Sequence, residues 1–157
     1  MRIFAIFFLV LLGTFIIDQN IKSIFVEGYY RAGECIDLEL HYNKGVAFSM
    51  LAFLGPYLKW IQATLVLVIL FVVFKEGYLN RYAFPVGLLV GGALGNVYDR
   101  FLHEGVVDYV AWHCGFNFAV FNFADVAIDI AVVWILIMVY FFPEETINKT
   151  IEKTSKK

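Results

Sequence analysis

The sequence has few charges and few cysteines. Charged residues make up 17% of its 157 residues and the net charge is only −2, so the chain lacks the basic surface that nucleic acid binding requires. Two cysteines, Cys35 and Cys114, are too few for a disulfide framework or a cysteine-based zinc site. We expect them to be two unrelated small residues rather than a bridge. His41, His103 and His113 do not have the spacing of zinc ligands, so no metal site is predicted.

Apolar residues, in contrast, are abundant. They make up 61% of the chain, which includes 17 Phe, and the mean hydropathy is +0.75. Soluble domains are nearer half apolar and about a quarter charged. The composition therefore indicates a chain that is solvated largely by lipid.

Four uncharged runs predict four transmembrane helices. A spanning helix needs roughly 20 predominantly apolar residues, and each run reaches that length if it includes a polar end. A soluble helical bundle is the alternative, but its helices would be amphipathic, whereas these runs are apolar all round. The first run could be a signal peptide, but no small-residue cleavage site follows it, so we expect a retained helix. The runs cover residues 3–17, 60–74, 82–98 and 130–143.

The segment between the first two runs has a different pattern. Alternation in "CIDLELHY" predicts a short strand, and "NKG" predicts a turn. The predicted fold is an all-α membrane protein with four transmembrane helices and a small β-containing segment between helices 1 and 2. We expect one domain over residues 1–157, with a solvated cytoplasmic tail at 144–157.

The distribution of Lys and Arg predicts the orientation. Under a four-span topology, seven of them fall on the side of the termini and five on the other side, which favours cytoplasmic termini. The up-down order of the helices then brings the polar ends of helices 1, 3 and 4 to the outer face. These ends contain Asp18, Asn96, Asp99, Arg100, Asn122 and Asp125.

Ionisable residues beside membrane segments are costly and usually functional, yet each of these has a structural alternative. The spacing of Asn122 and Asp125 is that of a helix cap, and the spacing of Asp18 and Lys22 is that of a helix-surface ion pair. The structural alternatives for the others are an interfacial ion pair for Asp99 with Arg100 and a turn acid in a loop for Asp108.

Glycines in the third run predict close helix packing. Gly87, Gly91 and Gly95 recur every four residues, with Gly92 alongside, and small residues at this spacing let membrane helices approach each other. A phosphate-binding loop would need a strand before the glycines. Close packing would press the polar end of helix 3 toward that of helix 4.

Asp108 and Asp125 are the candidate chemical pair, since an acid in a loop can fold over an acid at the start of a helix. Two carboxyls in a partly dry site cannot both ionise cheaply, so one keeps a proton. The ionised member can then deprotonate a water while the protonated member polarises a carbonyl. This is the chemistry of an aspartyl peptidase. A serine nucleophile has little support, because Ser23 and Ser49 are the only serines before the tail.

Five segments in order resemble the lipoprotein signal peptidase (signal peptidase II) family. They are "DQNIK", "NKGVAFS", "GGALGNVYDR", "VVDY" and "FNFAD". The resemblance implies a multi-pass aspartyl endopeptidase of the bacterial inner membrane, with its active site toward the periplasmic face. Such enzymes remove signal peptides from prolipoproteins by cleaving before the diacylglyceryl-modified cysteine. No cofactor is implied, and we expect a monomer that acts among membrane lipids and binds the inhibitor globomycin.

The resemblance also implies roles for individual residues. Asp108 and Asp125 would be catalytic, and Asp18, Lys22 and Asp99 would be structural. The residues expected to bind substrate or inhibitor are Asn43, Gly45, Asn96, Arg100 and Asn122.

Asp129 departs from the family pattern, because a small or mildly polar residue is expected one turn beyond Asp125. Two other functions remain open. A small transporter or proton channel would also keep acids in its membrane helices, although near the midplane and often in an inverted repeat. A lipid-binding scaffold would need no acid pair.

Overall fold

A computed structural model describes residues 1–45, 50–116 and 118–143. The predicted tail, 144–157, and part of the "NKGVAFS" segment lie outside these ranges. The elements in chain order are helix α1 (Arg2–Val26), strand β1 (Ile36–Asn43), a short 3-10 helix (Ala52–Leu54), helix α2 (Tyr57–Lys75), helix α3 (Leu79–Leu102), strand β2 (Val106–Trp112) and helix α4 (Phe123–Phe141).

Three of the four helices in the described part of the chain are long and apolar enough to cross a membrane: α1, α2 and α4. Their outward faces are rich in exposed Leu, Ile, Val and Phe, as lipid-facing surfaces should be. The third helix is not among them, because glycines and a polar end lower its hydropathy. The prediction of four helices is confirmed for the described residues, and three of the four are candidate spans by length and composition.

Helix α3 lies at the centre of the bundle, and its glycines allow this position. A side chain at Gly91 would meet the backbone oxygen of Leu11 on α1 at 2.6 Å, and one at Gly92 would meet that of Ala124 on α4 at 2.7 Å. The apolar core forms beside these contacts, around Phe7, Leu11, Val66, Val86 and Val90. The predicted small-residue packing is therefore confirmed, and it brings three helix ends together.

The strands pair as a two-stranded antiparallel sheet, with Ile36 opposite Trp112 and Asn43 opposite Val106. The predicted strand is confirmed as β1, but the prediction that Asp108 lies in a loop is wrong. Asp108 belongs to β2, which comes from between α3 and α4 rather than from the segment after helix 1. The first four residues of β2 are buried, so its sequence lacks the alternation that marks a half-exposed strand.

The expectation of two unrelated cysteines is also wrong. Cys35 and Cys114 form a disulfide, with their Cα atoms 4.4 Å apart and a separation of 79 positions in sequence. Their positions follow from the sheet, because Cys35 precedes the residue that pairs with Trp112. The bond closes the end of the sheet that lies away from Asn43 and Val106.

We expect loss of this disulfide to destabilise the protein. Replacing both cysteines by serine should lower the free energy of unfolding by roughly 2–4 kcal/mol, because a long loop in the unfolded chain is no longer closed. Unfolding of the purified protein in detergent, with and without a reductant, measures the effect. The double variant should not respond to the reductant. An unchanged wild-type protein after complete reduction, verified by thiol labelling, would contradict the prediction.

Candidate active site

Asp108 lies on β2 with only 2% of its surface exposed. Asn43 Nδ2 donates to its Oδ2 at 3.0 Å, and Asn122 Nδ2 donates to its Oδ1 at 2.6 Å. Each carboxyl oxygen therefore accepts one amide hydrogen and keeps a second lone pair. The sheet supplies Asp108 and Asn43 together, since they lie on paired strands.

Asp125 lies in the first turn of α4 and takes part in a capping box. Its backbone N–H donates to Asn122 Oδ1 at 2.9 Å, and its Oδ2 accepts from the Asn122 backbone N–H at 3.1 Å. The cap explains the spacing of the two residues, but it occupies only one of the carboxyl oxygens. Oδ1 accepts from Asn96 Nδ2 at 2.9 Å, which links the acid to α3.

Three asparagines hold the two acids, and the orientation of each amide is fixed by a group that can only donate. The oxygen of Asn43 accepts from the Gly45 N–H at 3.0 Å, and that of Asn96 accepts from Lys22 Nζ at 2.9 Å. The oxygen of Asn122 accepts from the Asp125 N–H. All three amide nitrogens must then face away from these donors, and they face the carboxylates.

Lys22 is buried between two carboxylates. Its Nζ lies 2.8 Å from Asp18 and 2.7 Å from Asp99, and 2% or less of each of these three side chains is exposed. With the bond to Asn96, all three N–H groups of Lys22 have partners. Both structural alternatives are therefore corrected: Asp18 and Lys22 do not form a helix-surface pair, and the ion-pair partner of Asp99 is Lys22. Gln19, which sequence analysis missed, donates to Asp18 and to Asp99.

The buried ion-pair cluster of Lys22, Asp18 and Asp99 also fixes the backbone beside each candidate acid. The Val107 N–H donates to Asp99 at 3.1 Å, and the Ala124 N–H donates to Asp18 at 3.1 Å. Val107 immediately precedes Asp108, and Ala124 immediately precedes Asp125. One cluster therefore sets the positions of both acids.

Arg100 has a different role from its neighbour Asp99. Its guanidinium donates to the backbone oxygens of Asn43 and Gly45. It thereby connects the end of α3 to the turn that follows β1, and holds Asn43 against Asp108.

A cavity of about 260 Å³ contains both candidate acids. Six predicted site residues line it: Asn43, Gly45, Asn96, Arg100, Asp108 and Asp125. Asn122 is buried and bonded to both acids, whereas Asp18, Lys22 and Asp99 form the cluster described above. Gln62 and Asp129 also line the cavity. Gln62 was not among the predicted site residues, although an amide in an apolar run was a signal.

The environment of Asp108 favours its protonated form. Burial, followed by the negative charge of Asp125, raises the pKa of Asp108 from 3.8 to about 6, while hydrogen bonds from Asn43 and Asn122 oppose the shift. An acid pair in which one member retains a proton can combine acid and base catalysis in one cavity. Among the described residues, no group of three or more His, Cys, Asp or Glu side chains is placed to hold a metal ion.

The family model and the curated relatives agree on one family. Residues 10–141 match the family model described as signal peptidase (SPase) II. A lipoprotein signal peptidase of Sulfurovum sp. is 78% identical over 91% of this chain and 98% of the relative, and one of Sulfurimonas denitrificans is 62% identical over 87% and 89%. A solved structure of a bacterial membrane enzyme, 26% identical, superposes with a TM-score of 0.74 over 87% of this chain and 88% of the other.

Removal of the Lys22 charge should destabilise the fold strongly. We expect Lys22→Met to lower the free energy of unfolding by roughly 3–5 kcal/mol at neutral pH, because it leaves two buried carboxylates without a cation. Unfolding of the purified protein in detergent measures the effect.

The matched control is Lys44→Met. Lys44 pairs with Glu104 at 2.8 Å, but 62% and 76% of their side chains are exposed, so water screens the pair and it should contribute far less to stability than the buried cluster. If both variants lowered the free energy of unfolding equally, the buried cluster would contribute no more to stability than an exposed ion pair, which would contradict the prediction.

Proposed function

The chain belongs to the signal peptidase II family, the proteases that remove signal peptides from prolipoproteins, and from that premise we propose that Asp108 and Asp125 are its catalytic pair. One observation carries the proposal: both carboxylates line one cavity, and the side chain of Asn122 bonds to both residues. The network fixes the carboxylates in place before any substrate arrives.

The pair would hold one proton and one water molecule. The ionised carboxylate takes a proton from the water, whose oxygen attacks the carbonyl carbon of the scissile peptide. The other carboxyl gives its proton to the carbonyl oxygen. In the second step the carboxyl that took the water's proton gives it to the leaving nitrogen. The C–N bond then breaks, and a hydroxyl proton of the intermediate returns to the other carboxylate as the carbonyl re-forms. Arg100 and the three asparagines hold the acids and the turn without taking part in proton transfer.

The substrate is a diacylglyceryl-modified prolipoprotein, cut just before the modified cysteine. The cavity lies at the end of the helices that also carries the sheet, so the signal helix and the lipid chains can remain in the bilayer while the scissile bond reaches the acids. The turn with Asn43 and Gly45 covers the bond, and globomycin occupies the same cavity. One copy of the chain supplies both candidate acids, and we propose that the protein acts as a monomer.

The chain is a bacterial membrane protein, and we place it in the inner membrane with four spans. Helix α3 has 24 residues, which at 1.5 Å per residue is enough to cross the hydrocarbon core. The termini are cytoplasmic and the sheet is periplasmic. The distribution of Lys and Arg favours this orientation, and so does the disulfide at the sheet, because disulfides persist in oxidising compartments such as the periplasm.

Asp108→Asn and Asp125→Asn should each reduce cleavage by at least about a thousandfold, because an amide can neither take nor give the proton. A purified diacylglyceryl-modified prolipoprotein in lipid vesicles is the substrate. The matched control is Asp37→Asn, at a partly exposed acid that bonds to Gly33 and lies outside the cavity. Normal cleavage by Asp108→Asn or by Asp125→Asn would contradict the assignment of these residues as the catalytic pair.

The rate should depend on the proton of Asp108. We expect kcat/KM to fall as the pH rises through about 6, because Asp108 then loses the shared proton. Asn43→Ala removes a hydrogen bond that favours the charged form, so the pKa of Asp108 should rise and the decline should move to higher pH. Rates measured across this range check the shift. Lys44→Met should leave the profile unchanged, and a decline that stays in place or moves to lower pH in Asn43→Ala would contradict the assignment.

A further inference from the structure

We propose that Gln62 binds the substrate, by accepting a hydrogen bond from a peptide N–H beside the scissile bond. The proposal rests on the assignment of the active site to the cavity that contains Asp108 and Asp125. It extends that site to α2, a helix that contributes no other polar side chain to the cavity lining among the described residues.

Gln62 lies in a largely apolar stretch of α2. It lies five residues after the start of α2, between Ile61 and Ala63, and it lines the same cavity as the two acids. Its Oε1 atom is buried and has no hydrogen-bond partner among the described residues. The asparagines of the site, in contrast, have partners on both ends of their amides.

A buried carbonyl oxygen without a partner is unfavourable. In a membrane helix the unfavourable free energy is greater, since lipid cannot supply a hydrogen bond. The unfavourable free energy is removed when the oxygen faces a cavity and a bound ligand donates a hydrogen bond to it. The oxygen accepts only, so its ligand must offer a donor, and the backbone N–H is the donor that every peptide substrate provides.

The same cavity offers a complementary donor. Arg100 lines it as well, and the Nε atom of Arg100 is buried without a partner among the described residues. A peptide unit has one N–H and one C=O. The free acceptor on α2 and the free donor on α3 therefore match the two polar groups of an extended backbone.

The substrate needs such partners. A signal peptide can cross the bilayer as a helix with its own hydrogen bonds, but the segment to be cut must be extended to expose one bond to the acids. Its N–H and C=O groups then lose their helical partners at the membrane boundary, where unsatisfied backbone groups are costly. Gln62 and Arg100 would replace two of those partners and hold the scissile bond in register with the acids.

The test combines Gln62→Leu with substrates whose backbone is altered. Synthetic diacylglyceryl-modified prolipoprotein peptides are prepared in which one amide at a time around the cleavage site is replaced by an ester, which removes a single N–H. Wild-type kcat/KM should fall about tenfold at one ester position, equivalent to about 1.4 kcal/mol. On the all-amide peptide, kcat/KM of Gln62→Leu should be about tenfold lower than that of the wild type. With the ester at that same position, kcat/KM of Gln62→Leu should not fall further.

Thr64→Val is the matched control, because Thr64 lies on the same helix, is exposed, and does not line the cavity. It should keep the wild-type rate and the wild-type ester sensitivity. Thermal unfolding of each variant is recorded in parallel.

The proposal is overturned if Gln62→Leu cleaves the all-amide peptide at the wild-type rate. It is also overturned if the variant is slower but keeps every ester sensitivity of the wild type, since that result means a structural role. Failure of the underlying site is distinguishable: Asp108→Asn or Asp125→Asn would then cleave normally, whatever Gln62→Leu does.

Discussion

The buried contact of Lys22 with Asp18 and Asp99 is the interaction on which the rest of the site depends. Charges are stable away from water only when every donor and acceptor has a partner, and here the three N–H groups of Lys22 reach two carboxylates and the Asn96 oxygen. The carboxylates in turn accept the backbone N–H groups of Val107 and Ala124. The cluster thus joins α1, α3, β2 and α4.

The cluster does not contact the two candidate acids through charged side chains. Neutral asparagine amides connect it to them and fix their positions. Lys22 fixes the Asn96 amide, which bonds to Asp125 and accepts from Asn122, and Asn122 bonds to Asp108. Amides orient a carboxyl without neutralising it, whereas a direct lysine contact would keep it ionised. The arrangement leaves Asp108 free to hold a proton at a pH where an exposed carboxyl would be charged.

The sequence was informative where a pattern has one structural meaning. Apolar runs predicted the helices, glycine spacing predicted the packing around α3, and alternation predicted β1. It was less informative where two structures share a pattern. The spacing of Asp18 and Lys22 suits an exposed pair as well as a buried one, and the buried strand β2 has no alternation. The disulfide was missed as a consequence, since only the pairing of β2 with β1 brings Cys35 to Cys114.

The hydrogen bond between Ala124 and Asp18 joins residues 106 positions apart. Asp18 belongs to α1 and Ala124 to α4, so Asp18 is made much earlier. During synthesis, therefore, the arrangement of Asp108 and Asp125 that we propose as catalytic does not exist until α4 has been made and has packed. On that proposal the unfinished chain would cleave no neighbouring protein, because its acid pair is incomplete.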